Sequence, residues 1–296
     1  MSKKEFLKKL LIRKEDLLEN FDFQKNVLNE LISIGFIYVN NHFNETENKF
    51  SNMMMQMSLL KGKSILKLAE GEVFEGVASP EIPIIDIQSI SSIYRSLFEN
   101  YCFFNHLYIR NWTDEEFLVI ENLWRISSLK QRISLLDKSV LLKEKTVFDK
   151  INNEKEEIIR LIKEIEKTNI YNKNKKNINN FIKTQKWQLT IENGKVKYIS
   201  WKEMFNNKGK DSLGSSKKDY QRFSLDTHPT YFSVFQFGEL YKNREDLNRR
   251  STVVFETIKL LCYYLNDFEN LIKIIPEINI ESKYLIEILG KNSSIK

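Results

Sequence analysis

At 296 residues, with 42% hydrophobic and 29% charged side chains, the chain has a globular composition and the length for one large domain or two smaller ones. Nine glycines and four prolines supply too few turns for an all-β fold. The net charge of +6 is unevenly placed: Lys167 to Lys218 holds 13 lysines against Glu192, Glu203 and Asp211, a local surplus of +10 that leaves about −4 for the rest.

The first 20 residues set Phe6, Leu7, Leu10, Leu11, Leu17 and Leu18 at helical spacings with lysines opposite, the pattern of an amphipathic helix. A second helix is expected from about Asp22 to Val39 and a third from near Asn44, with Met53, Met54, Met55 and Met57 as core filler. Gly62 to Pro83 reads as a break. Ile84 to Arg110 is apolar around most of its circumference and is the candidate central helix. Thr113 or Asp114 is placed to cap a helix running to about Leu142, and a charged helix follows near Glu144 to Lys167, with Ile151, Ile158, Ile159, Ile162 and Ile165 on one side. Together these predict a long antiparallel helical hairpin.

The helical pattern is expected to stop near Asn169, where asparagine and lysine dominate. Alternation on both sides of Asn193-Gly194 then predicts one small β-hairpin, followed by a polar loop. Helix resumes from about Asp219, and the last strong helix, Arg249 to Ile274, places Val254, Ile258, Leu261, Cys262, Leu265, Phe268 and Ile272 on one face before Pro276. The fold class is therefore all-α, a multi-helix bundle with a long helical hairpin and one small β-hairpin insertion. Residues 1–60 are expected as N-terminal amphipathic helices and 61–296 as the main bundle, with the basic insertion at about 168–218.

No apolar run approaches the roughly 18 residues of a membrane span, and charged residues interrupt the N-terminal segment, so a cytoplasmic location and no membrane partner are expected. Cys102 and Cys262 both sit in apolar helical patterns and read as core residues. Phosphate-binding glycine loops, zinc-ligand spacings and nucleophile elbows are all missing from the sequence, and no cofactor or metal is expected. The basic region could hold a phosphate backbone, which makes RNA the expected partner through residues 167–218.

Two constellations carry candidate chemistry. Arg95, Glu99, Cys102 and His106 recur at helical spacings on one face. Later, Tyr220, Arg222, Ser224, Asp226 and His228 crowd one short segment in which Ser224 and His228 are four apart and Pro229 ends any helix. A His at a helix C-terminus is favoured when protonated.

The string from Arg222 to His228 resembles the R-x4-6-H motif of the HEPN superfamily, helical domains many of which cut RNA in bacterial toxin and phage-defence systems. The wider pattern, Arg95-x3-Glu99 with Tyr220-x3-Ser224-x3-His228-Pro229, is similar to an uncharacterised bacterial all-helical family, over roughly Leu59 to Asn266. The resemblance implies His228 as general base or acid at a ribose 2′-hydroxyl, Arg222 on the scissile phosphate, a metal-independent endoribonuclease and a homodimer or partner protein. Arg95, Glu99, Tyr220, Ser224 and Asp226 would support that site. An alternative reading is a non-catalytic scaffold or sensor in which Arg95, Glu99, Ser224 and His228 form a buried polar network. A third is a ligand pocket lined by Tyr94, Tyr101, Phe104 and Tyr220.

Overall fold

The computed structural model describes residues 17–42, 49–73, 83–135, 145–200, 203–204, 220–225, 231–242, 244–272 and 280–290. The expected N-terminal amphipathic helix falls largely outside these residues, as do the polar loop after the hairpin, Asp226, His228, Pro229 and Pro276. In chain order the helices are α1 (Leu17–His42), α2 (Lys49–Glu70), α3 (Ile87–Phe104), α4 (Asp114–Ser134), α5 (Lys145–Glu166), α6 (Asn169–Thr184), α7 (Tyr231–Lys242), α8 (Glu245–Ile272) and α9 (Ile280–Gly290). Strands β1 (Leu189–Glu192) and β2 (Lys195–Tyr198) form the hairpin. The fold is all-α with one small β-hairpin, and it comprises two compact units: the described residues of 1–109 with 207–296, and those of 110–206.

In the first unit α8 is the hub, packing on α1, α2, α3, α7 and α9. The face expected from the sequence is buried, and so are Leu260, Tyr263 and Tyr264 on other sides, because the helix is surrounded. The candidate central helix is α3, whose Asp86 cap accepts from Ser89 N at 3.0 Å and which ends in a π-helical turn, Asn105–Ile109. That turn is fixed to α8: Asn105 Nδ2 and the Tyr101 hydroxyl each donate to Asp267 Oδ2 at 2.9 Å. Gly62 does not break α2. It lies in the helix interior, where a Cβ would stand 3.2 Å from Leu261, and the chain turns instead at Gly71, with φ +76°. Of the methionine cluster Met54 and Met55 are core, whereas Met53 and Met57 lie on the outer side of the same helix.

In the second unit α4 and α5 form the expected helical hairpin. Thr113 caps α4 in a capping box with Glu116, each bonding the other's backbone N–H. Replacing Thr113 by Ala should cost about 1 kcal/mol in denaturant unfolding, with the α4 amides exchanging faster. On α5, Ile151, Ile158 and Ile165 are buried, but Ile159 is exposed, and Arg160 pairs with Glu157 and Glu164.

The stretch from Asn169 is a helix, contrary to the sequence expectation. Thr168 caps α6 by accepting from Tyr171 N at 3.0 Å, and Ile170, Tyr171, Ile178, Phe181 and Ile182 give it a buried face. The asparagines that obscured the pattern have structural partners. Asn174, at a kink, donates to Ile170 O and Gly194 O and accepts from Val196 N, while Asn177 donates to Val196 O. The bonds to Val196 and Gly194 satisfy N–H and C=O groups of β2 and of the turn before it, on the edge that β1 leaves open. The hairpin has the expected turn, with Asn193 and Gly194 at φ 51° and 71° and the register Glu192↔Lys195, Ile191↔Val196.

Candidate functional site

Two elements of the first unit meet at the residues the sequence singled out. On α3, Arg95 and Glu99 are one turn apart, and Tyr94 and Phe98 face inward beside them. The helical segment 220–225 docks there through Tyr220 and Phe223, also one turn apart. The Phe98 and Tyr220 ring centroids are 5.4 Å apart, and Phe223 meets Tyr94 edge-on at 4.8 Å.

The polar groups close on one another around this aromatic contact. Arg95 Nε donates to Glu99 Oε1 at 3.0 Å and to the Tyr220 hydroxyl oxygen at 3.1 Å, and that hydroxyl donates to Glu99 Oε1 at 2.8 Å. The Arg95 guanidinium carbon lies 5.3 Å from the Tyr220 ring centroid. Burial opposes the Arg95 charge, but Glu99 and Tyr220 more than offset it and hold its pKa above the ordinary value. Burial first, then Glu99, raises the Tyr220 phenol, so at neutral pH Tyr220 is the donor to the carboxylate. Arg95 and Glu99 keep 32% side-chain exposure each, so the cluster lies at the protein surface rather than in a fully buried network.

The geometry therefore forms a clamp between α3 and the 220–225 segment. A double-mutant cycle of Glu99→Ala and Tyr220→Phe is expected to give a coupling of about 1 kcal/mol in denaturant midpoints, and additive single effects would rule the clamp out.

The other expected site residues divide by position. Arg222 is exposed on the outer side of the docked segment. Ser224 Oγ donates to the Tyr220 carbonyl at 2.7 Å, within the same turn. Asp226 and His228 lie outside the described residues. The stripe that begins with Arg95 does not continue as an open face, because Cys102 and His106 are both buried, the latter in the π-helical turn. The aromatics of the ligand-pocket reading are core: Tyr94, Tyr101 and Phe104 are fully buried, and Phe104 stacks on Tyr264 at 4.5 Å.

Comparison with protein-family models, curated proteins and solved structures found no match. Among the described residues, no helix is long and apolar enough to cross a membrane and no group of three or more His, Cys, Asp or Glu could hold a metal ion.

Two features of this unit were not singled out in the sequence. Asp246 and Arg250 are buried one turn apart on α8, with Arg244 3.4 Å from the Asp246 carboxylate, and burial raises the Asp246 carboxyl and brings Arg250 down to about 10. The Arg250 guanidinium carbon lies 3.7 Å from the Phe21 ring centroid. The readable signal was an Asp and an Arg one turn apart on the helix with the strongest apolar face. A cleft of about 780 Å3 opens between the end of α2, the start of α3 and α7, with Lys67, Glu72, Asp86, Phe237 and Tyr241 in its wall. Tyr241 donates to Ile85 O at 2.6 Å, and burial, with Asp86 and Asp246, raises its phenol to about 12. Those wall residues come from three separate stretches of chain, so no local pattern announces them.

Proposed function

We propose that the chain is a HEPN-like, metal-independent endoribonuclease of a bacterial defence or toxin system, acting in the cytoplasm. The observation that supports this reading is an exposed Arg222 on a segment whose inner side is held to α3 by Tyr220 and Phe223. The docked segment fixes the Arg222 backbone, and its planar guanidinium can grip a phosphate through two donors.

In the reaction, His228 takes the proton of a ribose 2′-hydroxyl, and the 2′-oxygen attacks the adjacent phosphorus. Arg222 stabilises the added negative charge, the 5′-oxygen leaves with a proton drawn from water, and His228 gives its proton back to solvent. The products are a 2′,3′-cyclic phosphate and a 5′-hydroxyl. Arg95, Glu99 and Tyr220 act as positioning residues, lysines of 167–218 hold the RNA, and two copies of the chain, or one copy with a partner protein, complete the assembly.

The test is incubation of the full chain with labelled single-stranded and structured RNA in EDTA, beside His228→Ala and Arg222→Ala variants. Cyclic-phosphate products are expected with the wild type, and each variant should lower the rate by about 100-fold or more. A folded wild type that cuts none of these RNAs overturns the reading. The second reading, a non-catalytic scaffold or sensor, is favoured by the mutual satisfaction of Arg95, Glu99 and Tyr220 and takes over in that event.

A further inference from the structure

The positive charge of the second unit is organised by its helix packing. α6 buries Ile170, Tyr171, Asn174, Ile178, Phe181 and Ile182, which share one side of the helix. Lys173, just before the kink at Asn174, and Lys176 and Lys183, seven positions and so two turns apart beyond it on the side opposite Ile178, Phe181 and Ile182, are all exposed. None of the three has an ion-pair partner among the described residues, and no acidic residue occurs between Lys167 and Lys186. Just past the left-handed C-cap at Gln185, Lys186 sets its ammonium 4.6 Å from the centroid of the Tyr198 ring, and that tyrosine is 43% exposed.

The hairpin has lysines of a different kind. Leu189 pairs with Tyr198 and Ile191 with Val196, so these four share one face, and alternation puts Lys195 and Lys197 on the other. Lys197 is neutralised there by Glu192 at 2.8 Å. The hairpin's own lysines are thus set apart from Tyr198, while the α6 row leads toward it through Lys186.

We propose that the α6 lysine row and Tyr198 form a binding track for single-stranded RNA. Lys173, Lys176 and Lys183 would follow the phosphates, and an unstacked base would lie on the exposed part of the Tyr198 ring. A row of unpaired cations ending at an exposed aromatic fits single strands, whose bases are free to stack, better than a duplex whose bases are enclosed. This rests on the RNA reading above and assigns the RNA-holding role to named residues.

The probe is a fluorescent 12-nucleotide single strand with 2′-O-methyl riboses, which the proposed nuclease cannot cut, titrated by anisotropy at several salt concentrations. Lys173→Glu/Lys176→Glu/Lys183→Glu should weaken binding at least tenfold and flatten the salt dependence by about two ions, since each lost phosphate contact removes about 0.7 from the slope. Tyr198→Ala should weaken it about tenfold without changing the slope. The control Lys155→Glu/Lys163→Glu, at exposed lysines of α5 outside the basic region, should stay within about threefold of wild type. No binding by the wild type, equal losses in control and track variants, or equal affinity for a duplex of the same length would each overturn the proposal. Because the probe is uncleavable, intact binding with no RNA cleavage sinks only the nuclease, and cleavage with binding indifferent to the track sinks only this assignment.

Discussion

Replacing Asp267 by Ala is expected to destabilise the first unit by about 3 kcal/mol, seen as a lower denaturant midpoint. Asp267 is 1% exposed at the centre of the helical packing, and its Oδ2 accepts from both the Tyr101 hydroxyl and Asn105 Nδ2 at 2.9 Å. Truncation takes that acceptor from two buried donors, and burying a donor without its acceptor costs about 1–3 kcal/mol. It also opens a void that close packing around α8 cannot easily collapse. Asp267→Asn keeps one oxygen and should cost clearly less. Equal losses for the two variants would show that the carboxylate's hydrogen bonds are not what holds the π-helical turn.

Asn174→Leu is expected to destabilise the second unit by a similar amount, about 3 kcal/mol. Leucine matches asparagine roughly in size but offers neither the donor used by Gly194 O and Ile170 O nor the acceptor used by Val196 N. The Val196 amide then stays in place without its acceptor and Gly194 O without its donor, while Val196 O keeps its bond from Asn177. A local readout is hydrogen exchange of the Val196 amide, whose protection should fall on the order of 100-fold, the equivalent of that free energy. A loss confined to helix α6 amides, with Val196 still protected, would mean that the asparagine serves the kink and not the hairpin.

Much of the helical scaffold was legible in the sequence because it follows a local period. The apolar face of α8, the capping residue Thr113 and the hairpin turn at Asn193-Gly194 each depend on neighbours within a few positions. The candidate site was partly legible for the same reason. Arg95 and Glu99 are four apart on α3, and Tyr220 stands in the later motif, so the residues of the clamp were marked. That Tyr220 reaches Glu99 across 121 positions of chain was not marked.

Other features emerged only from the folded chain. α6 reads as loop because asparagine is a poor helix former, and nothing near Asn174 in sequence reveals the strand edge 22 residues later that gives it a role. Gly62 reads as a break until Leu261 and Ile32 are seen to fill the space beside it. Met53 and Ile159 are as apolar as their buried neighbours, and only the position of the packed faces leaves them outside. By itself the sequence determined the helical class, the hairpin and its turn, and the location of the positive charge, because side-chain period and composition are properties of short stretches. The tertiary structure decided the division into two units, the clamp on α3 and the alignment of the α6 lysines, because each depends on which distant groups must share buried space or satisfy one another's hydrogen bonds.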